Sequence, residues 1–114
     1  MTTLHGIPNC DTVKKARTWL ESNGVVYTFH DFKKQGVSAD MLAGWLKHVP
    51  LTTLLNRKGT TWRALSDADK ARAGDEAGAI ALMQANPSLI KRPVLVHGKS
   101  VNVGFSADQY ATLF

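Results

Sequence analysis

The opening 32 residues constrain the fold more than any other stretch. Leu4, Gly6 and Ile7 form a short apolar segment that stops at Pro8, a strand running into a turn. Asn9, Cys10, Asp11 and Thr12 are cap-type residues. Behind them Val13, Ala16 and Leu20 recur at helical spacing, with Trp19 beside them, while Lys14, Lys15, Arg17 and Glu21 face water. Asn23-Gly24 closes this helix, with Gly as the left-handed residue after its end. Val25 to Phe32 alternates partly and is rich in β-branched and aromatic residues, which predicts a second strand. A strand–helix–strand crossover of this kind sets its two strands parallel.

The rest of the chain adds helices and then a hairpin. Ser38 to His48 reads as a helix capped by Ser38, with Met41, Leu42, Trp45 and Leu46 on one face and Pro50 as its breaker. Leu51 to Leu55 is a helical turn, and Asn56 to Thr61 a polar loop. Ser66 caps a helix through about Arg72, and Glu76 to Ala85 forms another before Asn86-Pro87. Val94-Leu95-Val96 is a strand, His97 to Ser100 a hairpin turn, and Val101 to Val103 the returning strand. Ser106 to Phe114 closes with a short helix. The expected architecture is α/β: a four-stranded mixed sheet with helices on its faces. At 114 residues, without linker or repeat, the chain reads as one domain, 1–114.

The N-terminal residues lack a basic segment followed by an apolar one, and no apolar run approaches the roughly 20 residues of a bilayer span. A cytoplasmic location, away from membranes, is the expectation. The net charge of +5 favours anionic small partners or an acidic protein face. Direct reading of nucleic acid is not expected, because no helix-turn-helix signal and no clustered basic face stand out. His5, His30, His48 and His97 are scattered without metal-ligand spacing, so no metal site is expected.

Cys10 is the only cysteine. It forms no internal disulfide, and any disulfide chemistry involves a second molecule. A lone cysteine is commonly a small core residue. Cys10, however, lies between Asn9 and Asp11, after a strand and before a helix. Unpaired backbone N–H groups and the positive end of the helix dipole stabilise a thiolate there. Thiol pKa values at such positions fall from about 8.5 toward ~3.5–7.5, and the thiolate is the nucleophile. Lys14 adds positive charge one turn along, and Thr12 offers a hydroxyl to the sulfur. Val13 stands where a second cysteine of a C-x-x-C would be, so resolution comes from outside.

Gly6 to Thr12 followed by Lys14-Lys15-Ala16 resembles the arsenate-reductase-like (ArsC) family, and within it the YffB branch related to Spx regulators. The likeness continues through Leu54-Leu55-Asn56-Arg57, Gly59 to Arg63, Ile90-Lys91-Arg92-Pro93 and Val103-Gly104-Phe105-Ser106, in order over nearly the whole chain. The resemblance implies a thioredoxin-like fold with a helical insertion at about 38–86. It implies a glutathione-linked mechanism around Cys10, with no tightly bound cofactor and glutathione as co-substrate. It further implies that Pro93 is cis and borders the cysteine, which brings Arg92 close enough to hold an oxyanion or a glutathione carboxylate. Asn9, Thr12 and Arg57 complete the expected binding set, with Asn56 and Lys58 as alternatives to Arg57. Arg63 is expected in a structural ion pair.

The third arginine of true arsenate reductases falls near Gly104, where this chain has Val103-Gly104-Phe105. Losing one donor to a developing oxyanion costs about 2.7–4 kcal/mol. The expected function is therefore a glutathione-dependent thiol reductase acting on glutathionylated thiols. Arsenate reduction linked to glutathione and glutaredoxin is the first alternative. A non-enzymatic Spx-like regulator that binds RNA polymerase is the second, although those relatives switch through the absent C-x-x-C.

Overall fold

The structure, a computed structural model, describes residues 1–114. The chain divides into two units, residues 1–35 with 92–114, and residues 36–91.

The first unit is built on a sheet of four strands in the order β2-β1-β3-β4: β1 (Thr2–Gly6), β2 (Thr28–Asp31), β3 (Val94–His97) and β4 (Ser100–Val103). β1 pairs parallel with β2 and antiparallel with β3, and β3 with β4 forms the expected hairpin. Helix α1 (Asp11–Ser22) makes the crossover between the parallel strands. Its buried residues Val13, Ala16 and Leu20 pack with Leu4 of β1, Leu95 of β3 and Tyr110. Leu4 and Leu95 are cross-strand partners, so a single face of the sheet receives the helix. Gly6 allows the close approach, since a Cβ there would lie 2.8 Å from a Val13 methyl. Gly24 ends α1 at φ +69, the left-handed conformation its position predicts.

β2 is half the expected length. The Val25 amide bonds back to the Leu20 carbonyl and so belongs to the helix exit, while Val26 is 92% exposed. At the other end Asp31 takes the chain out of the strand: its carboxylate accepts the Lys33 amide, and its own amide donates to Gln35 Oε1. A helical turn, α2 (Phe32–Gln35), results. Phe32 lies there rather than in the strand.

The second unit, residues 36–91, carries α3 (Ala39–Leu46), α4 (Leu51–Leu54), α5 (Thr60–Arg63), α6 (Asp67–Arg72), α7 (Glu76–Ala85) and a 3-10 turn (Pro87–Leu89). Ser38 and Ser66 cap their helices through the Met41 and Asp69 amides, as their positions predict. Asp75 does the same for α7 through Gly78. α3 packs on α7, with Leu42, Trp45, Ala79, Leu82 and Met83 buried. The polar loop is shorter than expected, because Thr60 and Thr61 already belong to α5. Arg63 has no carboxylate partner, and the ion pair joins Arg72 to Asp69 at 3.7 Å instead. In the first unit α8 spans only Ala107–Ala111, capped by Ser106. No helix is long and apolar enough to cross a membrane.

Candidate active site around Cys10

β1 ends at Gly6, and the next four residues turn the chain into α1. The Cys10 amide donates to the Ile7 carbonyl at 3.1 Å, which closes the turn. Cys10 is the N-cap, with extended backbone at φ −85 and ψ 125, and its carbonyl accepts the Lys14 amide at 2.9 Å. Its thiol is free and half-buried. The side chain makes no capping hydrogen bond as a neutral thiol. Its ionised form has better partners. Partial burial pushes the thiol up, and this is the largest single effect. The Val13 amide, a hydrogen bond from the Arg92 side chain, the Thr12 amide and the Arg92 charge together outweigh it, so the thiol sits below its ordinary value. These are the N2 and N3 amides of the helix, the groups a capping acceptor meets. A thiolate thus supplies the cap that the thiol lacks.

Arg92 reaches the sulfur because of strand pairing. Val94 is the cross-strand partner of His5, so continuing that register brings residues 92 and 93 alongside the end of β1 and the turn that carries Cys10. The Arg92–Pro93 bond is cis, as the resemblance implies, and Pro93 is buried. The Pro93 carbonyl accepts the Gly104 amide at 2.8 Å, which ties down the segment after β4.

The other expected site residues divide. Thr12 acts on the sulfur through its amide, not its hydroxyl. Asn9 is exposed, and its side chain makes no hydrogen bond. Lys14 is exposed and is not among the groups that act on the thiol. Arg57 belongs to the second unit. There Asn56 Oδ1 accepts the Lys58 amide at 3.0 Å, and the Arg57 guanidinium lies 5.5 Å from the Trp62 ring centroid. Arg57 and Lys58 line a cleft of about 270 Å³ together with Asn56 and Lys91. Asn56 forms the turn, and both cations face the cleft. Val13 is the contributor that sequence reasoning missed; its signal was available, because an N-cap at Cys10 makes residue 13 the N3 position.

The histidines are less scattered than their spacing suggests. His5 and His30 are register partners with ring centroids 5.1 Å apart. Trp45 is buried, as expected of a core residue, whereas Trp19 and Trp62 are only partly so.

The ArsC family model matches residues 5–113. The chain belongs to the ArsC family. It is similar to the solved structure of a YffB protein, with 51% identity, coverage of 98% of this chain and 97% of that one, and a TM-score of 0.94. An arsenate reductase (ArsC) related protein from Brucella melitensis is 50% identical over 97% of this chain and 92% of its own, with a TM-score of 0.76. The global transcriptional regulator Spx of Streptococcus mutans is 30% identical over 112 residues, 96% of this chain and 80% of that protein. The four-stranded mixed sheet with its crossover helix is thus the thioredoxin-like arrangement of this family.

Proposed function

We propose that this protein is a cytoplasmic, glutathione-dependent thiol reductase that works through Cys10 alone. The observation that carries the reading is the convergence of the Val13 and Thr12 amides and the Arg92 guanidinium on one half-exposed sulfur. Together they favour the nucleophilic form in a chain with no second cysteine.

The chemistry has two exchanges. The Cys10 thiolate attacks the glutathione sulfur of a mixed disulfide; the S–S bond breaks, and the substrate thiol leaves as a thiolate that takes a proton from water. A free glutathione, as its thiolate, then attacks the Cys10–glutathione disulfide, forming oxidised glutathione and returning the Cys10 thiolate. The substrate is reduced by two electrons, and two glutathione sulfurs end joined. Arg92 and the two amides stabilise the sulfur anion at the start and end of the cycle. Arg92 also serves a glutathione carboxylate, with Pro93, Asn9 and Thr12 as neighbouring walls. Arg57 is the anion-binding candidate of the second unit.

Treatment with oxidised glutathione followed by mass spectrometry tests the reading. A glutathione adduct on Cys10 that excess glutathione removes is expected, with no adduct in Cys10→Ser. Complete resistance at neutral pH overturns it.

Arsenate reduction with glutathione and glutaredoxin ranks second. Gly104 has φ +82 and donates its amide to Pro93, so the backbone where a third arginine is expected is one that disfavours any side chain. Arsenate-dependent turnover that vanishes in Cys10→Ser and weakens in Arg92→Ala reverses the ranking. The relative that is a global transcriptional regulator supports a third reading, transcriptional regulation, for which RNA polymerase is the partner to test. Polymerase recovered on the immobilised protein, equally with Cys10→Ser, favours it.

A further inference from the structure

A shallow groove of about 430 Å³ runs along the outward face of α1. Lys14 and Lys15 stand at its near end, Trp19 and Phe105 form its floor, and Ser22 and Asn23 lie at its far end. It starts one helical turn from Cys10, where the Lys14 amide meets the Cys10 carbonyl. The Phe105 side of its floor starts at the same place, because Phe105 follows Gly104, which Pro93 holds. The groove therefore leads away from the thiol within a single unit.

Its floor is set in advance. Trp19 and Phe105 each meet the buried Tyr110 ring edge-on, with centroids 5.6 and 4.7 Å away. Rings held this way lose little freedom when something lies on them. No carboxylate lines the groove, so Lys14 and Lys15 are the charged groups on its wall, with Asp11 one turn before them outside it. From Lys14 to Asn23 the helix rises about 13 Å at 1.5 Å per residue. An extended peptide covers that distance in about four residues at roughly 3.3 Å each. Trp19 lies about 7 Å along from Lys14, or about two residues of such a peptide.

We propose that the groove docks the protein half of a glutathionylated substrate. It selects an extended segment with Asp or Glu next to the modified cysteine and an aromatic or branched apolar residue about two positions further on. This rests on the reading of Cys10 as a monothiol reductase. The carboxylate meets Lys14 and Lys15, and the apolar side chain lies on Trp19 and Phe105. The substrate's disulfide is thereby held at the N-terminus of α1. When Cys10 takes the glutathionyl group, the segment leaves with its reduced thiol.

Two glutathionylated peptides, identical except for Glu or Lys beside the cysteine, test this alongside the mixed disulfide of glutathione and free cysteine. The wild-type protein at low salt is expected to show kcat/KM about tenfold higher for the Glu peptide than for the Lys peptide, the size of two surface ion pairs. Lys14→Glu combined with Lys15→Glu is expected to reverse that ratio. A second measurement needs no turnover: the Glu peptide with serine for cysteine is added, and the Trp19 indole N–H resonance, assigned by Trp19→Phe, is expected to move. Turnover of all three substrates with equal peptide rates and an unmoved Trp19 resonance overturns the groove and leaves the reductase. A moved Trp19 resonance with no turnover of any substrate supports the groove and overturns the reductase.

Discussion

Cys10 shows how much one residue's chemistry depends on residues far along the chain. Its amide partners follow from its own place at a helix start, and that place was readable: a lone cysteine between cap-type residues, after a strand. Arg92 was reachable only through family resemblance, because nothing local joins it to Cys10; the pairing of β1 with β3 does. Replacing Arg92 with Ala removes both its hydrogen bond and its charge from the sulfur. The alkylation–pH profile of Cys10 with iodoacetamide then moves to higher pH, and the rate at pH 7 falls several-fold. Arg92→Lys keeps the charge, loses the fixed fork of donors, and gives an intermediate profile. Tyr110 poses the opposite case, a polar atom with no partner. Its ring is fully buried and its hydroxyl makes no hydrogen bond. Burial alone pushes its ionisation far upward. Tyr110→Phe removes an unsatisfied buried group and is expected to raise stability by about 1 kcal/mol in urea unfolding, where an ordinary core substitution lowers it.

At the scale of elements, the helices with a serine before them and periodic apolar residues behind them were legible, because both signals are local. Ser38, Ser66 and Ser106 cap the helices that they precede. The elements that escaped are short turns, α2, α5 and the 3-10 turn at Pro87–Leu89, whereas the turn at Leu51–Leu54 was expected. Phe32 looked like the end of a strand because its residue type favours strands, but Asp31 captures the Lys33 amide and the chain coils. Two helix glycines give a sharper test of local against tertiary control. A Cβ on Gly44, in α3, meets nothing within 4 Å. Gly44→Ala therefore gains helix propensity and stabilises by about 0.5–1 kcal/mol. A Cβ on Gly78, in α7, would stand 1.9 Å from the Arg72 carbonyl oxygen. Gly78→Ala makes the same change of propensity yet destabilises by about 1–3 kcal/mol, since backbone has to move. Denaturation midpoints of the two variants should move in opposite directions.

The whole molecule responds to pH through its sheet. His5 is 6% exposed in β1, an interior strand, and its Nδ1–H donates to the Val94 carbonyl at 3.0 Å. Burial lowers its pKa most, the Val94 bond raises it, and His30 lowers it again, for a value of about 4 against 6.5. The folded state therefore binds this proton more weakly than the unfolded chain. The stability tied to neutral His5 is fully present above pH 6.5 and is lost as pH falls to about 4. A shift of that size corresponds to about 3 kcal/mol. Urea midpoints are expected to fall steadily over that window, and the His5 imidazole resonance to titrate only near its lower end. A midpoint that is flat from pH 7 to pH 4 contradicts this placement of His5.

The sequence by itself determined the strand–helix–strand opening, the terminal hairpin, the serine caps and the position of Cys10 at a helix start. Each of these is written within a few residues, in periodicity, capping side chains and turn residues. Tertiary structure alone decided which groups meet the sulfur from outside the helix, that His5 and His30 face each other, and that Trp19 and Phe105 share a floor. Those meetings depend on strand register and on burial, which act between distant segments. The place of Cys10 at a helix start was therefore legible in its neighbours, and the approach of Arg92 to its sulfur was not.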